Sequence, residues 1–231
     1  DAKAHSERLI THIKEACTQN EGKLSFKAFM KMALYEPGLG YYSAGNTKFG
    51  IEGDFITAPE ISCLFGQSLS FALNNILVNC SGKTPSCILE LGAGTGKLAG
   101  DILEKLSTLP DTYYILEVSA HLIARQKTYL ESRLKREIFK KIHWLTELPS
   151  AFEGVILANE VIDAMPVHKI KIESQNGRAQ YYESYVTYDN NGFQWLLDKP
   201  SPELTEALSD ITPYLIDTGE YISEINTDLK P

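Results

Sequence analysis

With 231 residues the chain can bury a substantial core, and 43% hydrophobic with 23% charged residues is the make-up of a folded globular protein, which excludes a disordered one. A formal net charge of -8 argues against binding to a phosphate backbone, which relies on clustered Lys and Arg. No apolar run approaches the ~20 residues needed to cross a bilayer, so membrane insertion is not expected.

Leu9, Ile10, Ile13 and Ala16 recur at helical spacing and predict a helix over Ser6 to Cys17, and a second follows over Phe26 to Leu34. Glu36 to Phe55 holds Gly45, Gly50 and Gly53 among other turn formers and reads as a long ordered loop, a feature often tied to function. Thr57-Ala-Pro-Glu60 matches a capping box, and the stripe Ile61, Leu64, Phe65, Leu69, Leu73, Leu77 carries the helix it opens to about Val78. Short apolar runs then alternate with amphipathic helices, the mark of a parallel sheet built from βαβ units. The expected strands are Cys87 to Leu91, Tyr113 to Val118, Ile142 to Leu145 and Val155 to Ala158. Leu98, Ile102, Leu103 and Leu106 mark one intervening helix, and Leu122, Ile123, Tyr129, Leu130 and Leu134 another. Beyond Pro166 the texture becomes an antiparallel meander over His168 to Leu197, with turns at Asn176-Gly177 and Asn190-Asn191-Gly192. Ser201-Pro202-Glu203 opens a last helix through Leu208.

A buried strand that feeds Gly92-x-Gly94-x-Gly96 and then a helix presents backbone amides to a ligand with no side chains in the way. Spacing separates the nucleotide-binding readings. A phosphate P-loop would need Gly where Leu91 stands and Ser or Thr where Leu98 stands. A dinucleotide fingerprint would need its third Gly at the position of Lys97, which disfavours a nicotinamide cofactor. Glu90-x-Gly92-Ala93-Gly94-x-Gly96 instead resembles the first motif of class I methyltransferases, whose loop holds S-adenosylmethionine. Glu117 ends the next strand, where a carboxylate can accept both ribose hydroxyls.

Asn159-Glu160-Val161-Ile162-Asp163 follows the fourth strand, at the sheet edge where ligands gather in doubly wound folds. Three polar groups there are hard to account for as core packing, although capping of a following turn is the bland alternative. Together with Tyr35-x-Pro37-x-x-Gly40-Tyr41-Tyr42, Gly53-Asp54-Phe55-x-Thr57-Ala58-Pro59-Glu60 and the glycine loop, the block Asn159-Glu160-x-x-Asp163-Ala164-x-Pro166-Val167 resembles the signature of the MidA family. That family comprises bacterial methyltransferase-like proteins and a mitochondrial complex I assembly factor that methylates an arginine of a partner subunit.

The resemblance implies a Rossmann-like class I methyltransferase core with N-terminal helices and an antiparallel meander insertion. Residues 1–85 would supply the helices and a cofactor-covering loop, 86–167 the core, and 168–231 the meander and the start of the rest of the same domain. Family members continue further, so the chain reads as C-terminally truncated. S-adenosylmethionine is the expected cofactor, held by Asp54, Thr57, Glu90, Gly92, Ala93, Gly94, Gly96 and Glu117. Methyl transfer from a sulfonium is an in-line displacement that mainly requires alignment and exclusion of water, with no metal. If the acceptor is a protein arginine, its protonated guanidinium needs orienting carboxylates, for which Glu160 and Asp163 are the candidates, with Asn159 aiding through its carbonyl. The rival reading is an assembly protein that binds the cofactor and transfers nothing. Cys17, Cys63, Cys80 and Cys87 form no C-x-x-C pair, so free thiols in a reducing compartment are expected. That is the cytoplasm, or the mitochondrial matrix if a leader precedes Asp1.

Overall fold

The computed structural model describes residues 2–43, 57–80, 86–175, 178–211 and 220–229. In chain order it begins with α1 (Ala2–Gln19), β1 (Lys23–Ser25), α2 (Phe26–Tyr35), α3 (Ala58–Ile61) and α4 (Cys63–Cys80). Next come β2 (Cys87–Leu91), α5 (Lys97–Lys105), β3 (Thr112–Leu116), α6 (Ala120–Arg133), α7 (Arg136–Phe139), β4 (Ile142–Leu145) and β5 (Gly154–Ala158). A 3-10 turn at Ile162–Ala164 leads into β6 (His168–Gln175), β7 (Arg178–Asp189), β8 (Gly192–Asp198), α8 (Pro202–Ile211) and β9 (Glu220–Ile225). None of the described helices is long and apolar enough to cross a membrane.

By its contacts the chain separates into one unit of residues 1–44 with 164–231 and another of residues 45–163. The three sequence blocks 1–85, 86–167 and 168–231 are thus distributed over two units. In the second unit the parallel sheet has the order β4-β3-β2-β5. Successive strands run outward from β2 on one side and β5 lies on the other, so the order reverses between β2 and β5, the Rossmann-like arrangement expected. The core lies under one face of this sheet. Ile88, Tyr113, Ile115 and Ile142 of the strands pack with Leu98, Ile102 and Leu103 of α5, Leu73 and Leu77 of α4, and Leu130 of α6. Gly66 lets α4 approach α5, since a Cβ there would lie 2.5 Å from the Cβ of Asp101.

The predicted single helix beginning at Thr57 is corrected to two, α3 and α4, broken at Ser62, whose backbone is extended (φ -153°, ψ 142°). The capping box is also absent, because Thr57 makes no side-chain cap. Pro59 supplies no N–H for it, and the Glu60 amide already bonds the Thr57 carbonyl at 2.9 Å.

The first unit holds the meander β6-β7-β8, all antiparallel, with β9 added beside β6 and β1 beside β7. Ile170 and Ile172 pack with Leu204 and Leu208 of α8, and a second cluster joins Ile13 and Cys17 to Leu24. A buried polar group ties these elements. His168 Nδ1 lies 2.7 Å from Glu183 Oε1, and the other Glu183 oxygen accepts from the Ser201 amide at 2.6 Å and the Tyr185 hydroxyl at 3.0 Å. Burial pushes the Glu183 carboxyl up, but these hydrogen bonds outweigh it and leave it below the ordinary carboxylate value. The turn at Asn176-Gly177 lies outside the described residues.

Candidate functional site

The parallel register aligns the ends of the central strands. Leu91 of β2 pairs with Leu116 of β3 and with Ala158 of β5, so Gly92, Glu117 and Asn159 leave the sheet side by side. This edge is where ligands collect in open α/β sheets, beside the reversal in strand order.

Gly92, Gly94 and Gly96 have φ of +63°, +55° and +85°. An L side chain strains that backbone, so the alternating glycines let the chain wind from β2 into the N-terminus of α5. Gly96 stands at the N-cap of α5, where the Lys97 amide donates to Thr95 Oγ1 at 3.3 Å, and the helix start presents the positive end of its dipole. Among the described residues a Cβ on Gly94 would meet nothing within 4 Å, which makes the loop an open cradle. A Cβ on Gly92 would stand 3.5 Å from Val161 Cγ2, so the segment after β5 borders the loop. Lys97 is held in ion pairing with Asp101 at 2.8 Å, and Arg133 joins the same buried carboxylate at 2.6 Å. The lysine is thereby engaged in structure, unlike a phosphate-binding lysine.

Glu117 is buried at 7% exposure, with one oxygen accepting from the Ser119 amide at 3.0 Å and the other from Gln126 at 3.2 Å. Glu90 lies inside the sheet at 2% exposure, beneath the loop, and accepts from the Tyr113 hydroxyl at 2.9 Å. Burial raises its pKa to about 7 despite the opposing effect of that hydrogen bond. Thr95, within the loop, donates its hydroxyl to Glu60 Oε1 at 2.5 Å, so α3 is fastened against the glycine turn.

A family model described as "Putative S-adenosyl-L-methionine-dependent methyltransferase" covers residues 73–231. The chain belongs to the MidA-type family of S-adenosylmethionine-dependent methyltransferases. It is 32% identical over 178 residues to the mouse protein arginine methyltransferase NDUFAF7, mitochondrial, covering 66% of this chain and 40% of that one. The human protein of that name is 29% identical over 189 residues, covering 71% and 43%. A superfamily member from Burkholderia thailandensis, solved bound to S-adenosyl-homocysteine, superposes with a TM-score of 0.80 at 33% identity, covering 98% of this chain and 57% of that one. The chain spans less than half the length of these curated relatives.

Within this MidA-type chain the structure brings the expected residues Gly92, Ala93, Gly94, Gly96 and Glu117 to one edge, with Glu90 under it and Asn159 emerging beside it. Glu160 is exposed and adopts φ +52°, a rare value for a residue with a side chain. Asp163 is exposed in the 3-10 turn. Asp54 lies outside the described residues. Thr95, Gln126 and Trp144 were not singled out in the sequence, and Glu60, expected to cap its own helix, instead accepts from Thr95. For Gln126 a signal existed, since it lies one turn from Leu122 and from Leu130 on the apolar face of its helix.

Proposed function

We propose that this protein transfers the methyl group of S-adenosylmethionine to a nitrogen of a protein, with arginine as the acceptor class. The observation that carries the cofactor assignment is the alignment of an open glycine cradle at Gly94 with the buried carboxylate of Glu117 on the adjacent strand end. These residues fit the cofactor chemically. The loop amides and the start of α5 suit its carboxylate, and Glu117 suits vicinal ribose hydroxyls. The bound sulfonium would supply an electrophilic methyl group. Thr95 and Glu60 hold α3 at the loop, which supports the reading that the segment ending in Glu60 covers the cofactor and limits water, with Asp54 and Thr57 as its further candidates.

For the acceptor, Glu160 and Asp163 would hold a protonated guanidinium and orient one nitrogen, and Asn159 would accept a hydrogen bond from it. The names of the mitochondrial relatives favour arginine. The free thiols of Cys17, Cys63 and Cys87 support a reducing compartment, either the cytoplasm or the matrix.

The test is calorimetry with S-adenosyl-homocysteine, followed by incubation with methyl-labelled cofactor and a lysate lacking this activity. Tight binding and a labelled protein, with label recovered as methylarginine, are expected. Absence of binding overturns the cofactor assignment. Binding without labelled product favours an assembly protein instead.

A further inference from the structure

Gln126 is fully buried (0% exposed), although it has an amide side chain on an otherwise apolar helix face. Its Nε2 donates to the Gly94 carbonyl at 3.0 Å and to Glu117 Oε2 at 3.2 Å, and its Oε1 accepts from the Trp144 indole at 2.9 Å. One side chain from α6 therefore joins the glycine loop, the end of β3 and β4.

The direction of these bonds is imposed by chemistry. An indole N–H can only donate, so Trp144 fixes the amide with its oxygen toward β4 and its NH2 group toward Gly94 and Glu117. An ionised carboxylate offers about four acceptor positions. On Glu117 one position of Oε1 is taken by the Ser119 amide and one of Oε2 by Gln126, so each oxygen keeps a site for a hydroxyl. The last torsion of a Glu is otherwise broad. We infer that Gln126 is a positioning residue, which sets the Glu117 carboxylate in the geometry that receives the ribose diol. This rests on the cofactor reading above.

The Trp144 bond makes the device a relay of two steps. Removing the indole N–H frees the amide to flip, and a flipped amide would turn its oxygen toward two acceptors, the Gly94 carbonyl and Glu117. A role confined to stability would weaken all ligands alike, whereas positioning of Glu117 acts only on ligands that carry ribose hydroxyls.

The experiment measures calorimetric affinities of the intact protein, Gln126→Met and Trp144→Phe for S-adenosyl-homocysteine and for its 2′,3′-dideoxy analogue. Gln126→Met should weaken the parent ligand by about tenfold or more and the dideoxy analogue by less than about threefold. Trp144→Phe keeps an aromatic ring without the N–H and should show the same ligand dependence at a smaller, severalfold size. Equal losses for both ligands, or no loss for either, overturn the inference. Should Gln126→Met fail to fold, Trp144→Phe decides, and unchanged affinity in it overturns the inference. If the unsubstituted protein does not bind S-adenosyl-homocysteine, the cofactor reading fails first and this inference with it.

Discussion

The hydroxyl of Thr95 donates to the carboxylate of Glu60 across 35 positions of sequence, at 2.5 Å, and so pins a short helix to the turn that forms the cradle. A hydrogen bond to a charged acceptor is worth about 1.5 to 3 kcal/mol. Glu60→Ala and Thr95→Val should each weaken binding of S-adenosyl-homocysteine by about tenfold, and the double variant should lose little more than either single one. Additive losses in that cycle would show that the two residues act independently.

Gly94→Val should abolish cofactor binding in a folded protein. Its φ of +55° strains a branched side chain, and that side chain would occupy open space in the cradle. Calorimetry on a variant with an unchanged circular dichroism spectrum checks this, and retained affinity would move the ligand elsewhere.

Glu90 makes stability depend on pH. Its folded pKa of about 7 lies above its ordinary value of 4.5, so the folded state binds the proton more tightly. The stability contributed by this carboxyl is therefore fullest below pH 4.5, falls as pH rises through this window, and levels off above about 7. The gap corresponds to about 3 kcal/mol. Glu90→Gln keeps an acceptor for Tyr113 without a charge, so its stability relative to the parent should rise across the same window. Denaturant melts at pH 4.5, 6 and 8 report the difference, and a difference that does not vary with pH would contradict the shifted ionisation.

Glu160 combines an exposed side chain at the strand edge with φ of +52°. Glu160→Gln should leave cofactor affinity intact and lower methyl transfer by ~10²-fold, as expected for a group that acts on reacting geometry. Glu160→Gly should relieve the backbone and raise stability by about 1 kcal/mol while also losing transfer. Transfer at the parental rate in Glu160→Gln would leave Glu160 a backbone feature with no part in the reaction.

The parallel core was legible in the sequence because its signals are local. The apolar runs at 87–91 and 142–145 appear as strands with those bounds, and the glycines between β2 and α5 declare a tight turn within five residues. The meander from His168 was equally legible from alternation and its turn residues. β1 escaped because three residues are too short to show a period, and pairing with Val186 of β7 is what makes Leu24 part of a strand. The break at Ser62 escaped because the apolar stripe runs through it unbroken. The sequence by itself determined the strands and helices of the parallel core, the meander, and which acid follows β3, since these follow from periodicity and spacing within one element. Only the tertiary structure decided that Glu60 serves Thr95 instead of its own helix, and that Gln126 holds Gly94, Glu117 and Trp144 together. A buried polar group must find its partners wherever the fold brings them, and here they stand up to 35 residues apart in the chain.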